Sequence, residues 1–220
     1  MDTKYYIANW KSNKNKQEAL TFLQGVKEKI GSLDLNGKVI IIAPPFHLLD
    51  VCREYVDKHE LPISLASQNV SSFPPGAYTG EINAKQLKEF VEYSIVGHSE
   101  RLKYMHETDV DIENKVREAI SEGIIVVQCV QNENSKVHKG VSIIAYEPPS
   151  AIGTGNPDDP EHIAQVFESI VGNNSGITVL YGGSVKPENI AQFDSVEQLS
   201  GYLVGGASLE SESFLALLNG

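Results

Sequence analysis

Short apolar runs alternate with segments of helical periodicity along almost the whole chain. Residues 5–9, 39–43, 63–68, 93–96, 124–129, 142–146, 178–181 and 202–204 are each compact and bounded by turn or polar residues. Their hydrophobicity is continuous rather than alternating, as strands buried on both faces require, so they read as parallel strands. Helical patterns lie between most of them, at 16–30, 48–58, 84–91, 110–122, 160–171, 187–193 and 213–218. In the first of these, Ala19, Leu20, Leu23, Val26 and Ile30 fall on one face. One connection breaks the rhythm. Residues 130–140 are rich in Asn, Lys and Glu, and are too short and unpatterned for a full helix, so the helix expected there is shortened or absent.

Strands that alternate with helices imply right-handed βαβ units, and eight such units close into an α/β barrel. An open doubly wound sheet is the alternative with the same local pattern. At 220 residues the chain suits one domain, 1–220, with no repeat or low-complexity tract to divide it. The first residues lack the apolar core of a secretory signal, and no apolar stretch reaches bilayer length. The expected location is therefore cytoplasmic, with no membrane partner. Cys52 and Cys129 sit in apolar contexts without metal-ligand spacing and read as buried, reduced thiols. A net charge of −11 argues against nucleic acid as a partner. An anionic substrate would need a local positive site built against that field.

The candidate chemistry gathers just after the strands, where such a barrel places its active site. The sixth run ends in Tyr146-Glu147-Pro148-Pro149-Ser150-Ala151-Ile152-Gly153-Thr154-Gly155. Here a carboxylate stands on an anchored strand end, two prolines fix the exit of the chain, and Gly153 and Gly155 allow close backbone approach to a ligand. Read blandly, the same segment is a charged strand end before a flexible loop. After the seventh and eighth runs come Gly182-Gly183-Ser184 and Gly205-Gly206-Ala207. Their small residues let the N–H groups of Ser184, Gly205 and Gly206 converge on an anion, with a helix near Ala207 adding its positive end. Either glycine pair alone is also an ordinary tight turn. His98, followed by Ser99-Glu100-Arg101, is placed at the start of a short helix, where the dipole disfavours the imidazolium and a neutral ring donates a hydrogen bond. A structural histidine and a solvated Lys11 are the bland readings of those two positions.

Taken together and in order, "NWK" at 9–11, "SQNVSSFPPGAYTGEI" at 67–82, "GHSER" at 97–101, "YEPPSAIGTG" at 146–155, "YGGSV" at 181–185 and "LVGGASL" at 203–209 resemble the motifs of the triosephosphate isomerases. The resemblance spans essentially the whole chain. It implies a (β/α)8 TIM barrel that interconverts dihydroxyacetone phosphate and D-glyceraldehyde 3-phosphate, a step of glycolysis and gluconeogenesis. It makes Glu147 the general base, His98 the electrophile, and Lys11 with Asn9 the polar floor, with Glu100 pairing to Lys11 before substrate arrives. Asn9, Lys11, Gly153, Ser184, Gly205 and Gly206 would bind substrate, and 148–155 would form a lid. No metal or organic cofactor is implied.

The resemblance also implies self-association. In the family the third loop inserts into a second subunit, which places Thr79 near the neighbour's Lys11 and His98 and pairs Glu81 with Arg101 across the interface. The exposed apolar residues expected at Phe73, Pro74, Pro75 and Tyr78 agree with a homodimer. The flank uncovered by the missing helix is one through which archaeal members form tetramers. Three positions depart from the common pattern: Ser150 in place of a hinge tryptophan, Asn132 in place of its glutamate partner, and Ser200 in place of an aspartate. Another phosphate-handling barrel, such as an aldolase, would need a lysine inside a strand, and none is seen. A barrel retained only as a binding scaffold would be expected to lose Asn9, Lys11, His98, Glu100 or Glu147, and all are present.

Overall fold

The computed structural model describes residues 3–219; Met1, Asp2 and Gly220, at the ends of the expected 1–220 unit, lie outside it. Its strands are β1 (Lys4–Asn9), β2 (Lys38–Ala43), β3 (Ser64–Ser67), β4 (Tyr93–Val96), β5 (Ile125–Val130), β6 (Ile143–Tyr146), β7 (Thr178–Tyr181) and β8 (Leu199–Val204). All neighbours pair in parallel, and β8 pairs back onto β1, with Tyr5 opposite Gly201 and Ala8 opposite Val204. That last pairing turns the sheet into a closed barrel and removes the open-sheet alternative. It depends on Gly201, whose φ is +137° and where a β-carbon would lie 2.0 Å from the Tyr5 carbonyl oxygen.

Strand side chains alternate between two cores, as the pleat requires. Ile7, Ile41, Ile95, Val127, Ala145, Leu180 and Leu203 fill the barrel interior. Tyr6, Ala8, Ile40, Ile42, Val126, Ile144 and Val179 point outward to the helices. The period of two also assigns the position above each inner residue. Two residues beyond Ile7, Ala145, Leu180 and Leu203 stand Asn9, Glu147, Gly182 and Gly205, so the top layer of the barrel carries an amide, a carboxylate and two residues without side chains.

The helices are α1 (Lys16–Ile30), α2 (Leu49–Lys58), α3 (Ala84–Leu87), α4 (Ser99–Met105), α5 (Asp109–Ser121), α6 (Pro160–Asn173) and α7 (Ser211–Ala216). A capping box starts α1, in which Asn15 accepts from the Glu18 N–H and Glu18 reaches back to the Asn15 N–H. Its face of Ala19, Phe22, Leu23, Val26 and Ile30 is buried, each large side chain contributing roughly 1.5–3 kcal/mol relative to exposure. Asp159 caps α6, and Pro160 occupies its first turn.

Three helical expectations end shorter than their patterns. The pattern at 84–91 is α-helical only to Leu87, because Glu92 must drop toward β4, where its carboxylate accepts from the Leu65 N–H and meets Arg53. The pattern at 187–193 becomes a 3-10 helix over Ile190–Phe193. Near Ala207 the helix is a 3-10 turn, Gly206–Ser208, tightened by the Ser208 hydroxyl, which contacts the carbonyls of Val204 and Gly205.

Between β5 and β6 there is no helix among the described residues. The intervening loop is stapled by Gln128, whose outward side chain donates to the Lys136 carbonyl at 2.7 Å and accepts from the His138 N–H at 3.0 Å. Lys136 then reaches Asp109 and Glu113 on α5. Ile120, Ile125 and Val110 stay exposed on that flank.

Candidate active site

Glu147 is 1% exposed at the end of β6. One carboxylate oxygen accepts from the Ser99 N–H at 2.9 Å, and the other lies 2.9 Å from His98 Nε2. Burial works to raise its pKa. The bonds donated by His98 and Ser99 and the charge of Lys11 oppose that and hold it below the usual glutamate value. The wall beside it is neutral, since Cys129 on β5 has its thiol pushed well up, first by burial and then by the Glu147 carboxylate.

His98 is the N-cap of α4 and is 5% exposed. Its Nδ1 accepts the Glu100 N–H at 3.2 Å. A ring nitrogen that accepts carries no proton, so this geometry assigns the neutral tautomer with hydrogen on Nε2, the atom facing Glu147. Gly97, at φ +73°, makes the turn that carries His98 from β4 to this cap.

Asn9 and Lys11 complete the floor from β1. Lys11 has a left-handed backbone, φ +52°, stabilised by its N–H donating to Asn9 Oδ1 at 3.1 Å. Trp10, fully buried and edge-on to Phe22, fastens the segment to α1. The Lys11 ammonium contacts Glu100 at 2.6 Å, as expected from sequence.

Opposite stand the small residues. Asn9, Lys11, His98, Glu147, Gly153, Ser184, Gly205 and Gly206 all line one cavity of about 240 Å³. A β-carbon on Gly205 would sit 3.1 Å from Lys11 Cε, and one on Gly182 would sit 3.1 Å from Glu147 Cγ, so both glycines hold space for neighbouring side chains. Larger clefts exist, about 510 Å³ between α1 and α2 and about 610 Å³ beside the lid. Neither combines a carboxylate base, a cation and anion-binding turns, so chemistry rather than size selects the site.

The segment 148–155, expected to form a lid, is tied to the turn after β7. Ser184, at φ +54°, donates its hydroxyl to the Ala151 carbonyl at 2.6 Å and accepts the Gly155 N–H at 3.1 Å. Where the chain returns toward α6, the Asp158 N–H donates to the Tyr181 hydroxyl at 2.7 Å.

The sequence profile of the triosephosphate isomerase family matches residues 4–220. The chain belongs to the triosephosphate isomerase family. It is 38% identical to the triosephosphate isomerase of Streptococcus thermophilus, over all of this chain and 99% of that protein. It is 37% identical to those of Streptococcus pneumoniae and Streptococcus gordonii, with the same coverage. The alignments run to 253 positions, so these relatives carry segments that this chain lacks. As a triosephosphate isomerase it interconverts dihydroxyacetone phosphate and D-glyceraldehyde 3-phosphate within glycolysis.

Several residues of this isomerase's site escaped the sequence. The sequence marks Ser99 only as part of a helix start, yet its N–H holds the carboxylate. Nothing in the sequence marks the side chains of Tyr181 and Lys186, although the first secures the chain's return toward α6 and the second lines the cavity. The glycine-rich strings flagged the region but not these side chains. The loop residues Thr79 and Glu81 are exposed, and Phe73 stacks on Tyr78 at 4.4 Å in the open. Arg101 donates to Glu107 of its own chain. At the hinge, Ser150 is exposed and Asn132 spends its side chain on the Asn134 N–H, so no pair replaces the tryptophan and glutamate.

Proposed function

We propose that Glu147 is the base that moves the proton between the two carbons of the triose, and that His98 Nε2–H and Lys11 meet the oxygen on which negative charge develops. The carbon acid is weak, so the base works desolvated and the enediolate needs fixed donors. Glu147 takes a proton from one carbon, the C–C double bond of the enediolate forms as the carbonyl π pair moves onto its oxygen, the hydroxyl proton passes to that oxygen by way of His98 Nε2, and the same carboxyl returns its proton to the neighbouring carbon while a carbonyl re-forms on the first. Its oxygens are at present engaged by Ser99 and His98. A substrate oxygen that takes over the His98 N–H releases the carboxylate toward the carbon, and the empty face of Gly182 leaves it room. Asn9 fixes Lys11, and Glu100 orients both Lys11 and His98.

The phosphate is assigned to the N–H groups of Gly153, Ser184, Gly205 and Gly206, with the lid, 148–155, excluding water from the enediolate. The observation that carries this reading is the single cavity on which the carboxylate, the imidazole, the ammonium and the glycine turns converge. A coupled assay with D-glyceraldehyde 3-phosphate tests it. Glu147→Gln is expected to lose about 10²–10⁴-fold in kcat with little change in KM, and an unchanged rate overturns the assignment.

The working unit is proposed to be a homodimer, formed when the exposed loop carrying Phe73, Pro74, Pro75 and Tyr78 enters a second copy. Thr79 then approaches the partner site, and Glu81 reaches the N–H groups of Arg101 that Glu107 leaves over. The bare flank at Ile120 and Ile125 supports a tetramer as the second reading. Light scattering across a dilution series separates these states, and a stable, active monomer overturns both. The chain is proposed to act in the cytoplasm as one barrel, 1–220; no described helix is long and apolar enough to cross a membrane.

A further inference from the structure

We propose that Lys186 is a second cation of the substrate site, which captures the phosphate dianion at the rim and sets the preference for phosphorylated over phosphate-free substrate. The inference rests on the phosphate end assigned above.

Two lysines line the cavity, Lys11 and Lys186. They differ in how their charge is used. The Lys11 ammonium is held by Glu100 at 2.6 Å, so much of its charge is already answered. Lys186 is exposed, and among the described residues no carboxylate lies within 4.0 Å of its ammonium. A lysine in a structural ion pair would have such a partner.

The backbone of Lys186 is fixed even though its side chain is not. Its N–H donates to Asn189 Oδ1 at 2.8 Å, and Asn189 Nδ2 donates to the Ser184 carbonyl at 3.0 Å. One asparagine therefore positions Ser184, whose N–H is assigned to the phosphate, and Lys186 as a unit. The side chain extends toward the lid, where its Nζ lies 4.0 Å from the point a β-carbon on Gly155 would occupy. Gly155 in turn is bonded to Ser184 through its N–H. Lys186 thus stands where 148–155 meets the turn after β7, on the same cavity that Gly205 and Gly206 line.

Electrostatics gives this position its use. The chain carries a net charge of −11, which repels a dianion at long range. Backbone N–H groups supply only partial charges, and the Lys11–Glu100 pair is close to neutral. An uncompensated ammonium at the rim supplies the full positive charge that the cradle lacks. One such charge facing a dianion near a wet surface is worth on the order of tenfold in affinity, and most of that is lost when salt shortens the screening length.

The test measures inhibition by inorganic phosphate and kcat/KM for D-glyceraldehyde 3-phosphate and for phosphate-free glyceraldehyde, in wild type, Lys186→Met and Lys186→Arg. At low salt, Lys186→Met is expected to raise the inhibition constant of phosphate by about tenfold and to lower kcat/KM for the phosphorylated substrate by a similar factor, mostly through KM. The gap should narrow to roughly two- to threefold near 0.3 M salt. Glyceraldehyde turnover should change less than twofold, and Lys186→Arg should behave as wild type. A phosphate inhibition constant unchanged in Lys186→Met overturns the inference, as does an equal loss on glyceraldehyde. Wild type that phosphate does not inhibit removes the phosphate end itself, and the inference with it.

Discussion

Replacing Glu107 by Gln should be strongly destabilising although it lies outside the active site, with a pH signature that names its cause. The Glu107 side chain is 6% exposed and meets both Arg101 and Lys115. Lys115, on α5, is 6% exposed and also donates to Asn69 Oδ1 at 2.8 Å, which ties the start of the third loop into the same network. Burial lowers the Lys115 pKa, and the bond and charge of Glu107 oppose that. In Glu107→Gln the opposition goes while the burial stays. Removing one partner of a buried pair costs about 3–5 kcal/mol. An independent ceiling comes from the lysine itself, which sheds its proton rather than remain charged. Neutralising a lysine of unfolded pKa near 10.4 at pH 7 costs about 4–5 kcal/mol.

The sign of the pH dependence follows. The variant's folded state then holds one proton fewer than its unfolded state between the depressed folded pKa and the unfolded pKa. Stability therefore rises with pH across that window, by about 1.4 kcal/mol per unit, and the deficit closes as pH approaches 10. Denaturant unfolding followed by circular dichroism at pH 7 and pH 9, at one fixed protein concentration, reads both quantities. The double variant Glu107→Gln with Lys115→Met should recover at least half of the loss, because the buried charge is gone and what remains unpaired is the partly exposed Arg101 and the neutral Asn69 Oδ1. A loss under about 1 kcal/mol at pH 7, or a deficit that does not shrink at pH 9, refutes the reasoning.

Gly183→Ala would place a β-carbon 2.3 Å from the Tyr181 hydroxyl and 3.0 Å from Ala151 Cβ. It is expected to cost about 1–3 kcal/mol in thermal unfolding and to raise KM by detaching Tyr181 from the Asp158 N–H; an unaltered melting temperature would show that Tyr181 moves freely. Burial pushes the Cys52 thiol up to about 12 and the Cys129 thiol well above its ordinary value, so a thiol reagent at pH 8 should label neither until denaturant is added, and both afterwards. Rapid labelling of the native protein would contradict the packing of β5 against Glu147.

What the sequence determined by itself is whatever repeats locally. Continuous apolar runs placed seven strands within a residue at each end and the eighth within three, since β8 begins at Leu199 rather than Tyr202, and a spacing of three to four placed α1, α2, α5 and α6. The anomaly at 130–140 announced the absent helix, because a segment with no apolar face cannot pack as one. Glu147 was visible because an acid that ends a buried strand is rare, and Gly205 and Gly206 because their motif recurs after the neighbouring strand.

Tertiary structure decided what lies far apart along the chain. Open sheet and closed barrel share one local pattern, and only the pairing of Tyr5 with Gly201 chooses between them. The Ser99 N–H reaches Glu147 across 48 positions, Tyr181 reaches Asp158 across 23, and Lys115 reaches Asn69 across 46. No periodicity encodes such contacts; they follow from the order in which the strands close. The direction of the Lys186 side chain belongs to the same class. The sequence could name a lysine after a glycine-rich turn, but only the closed barrel brings Gly155 beside it and sets both on one cavity.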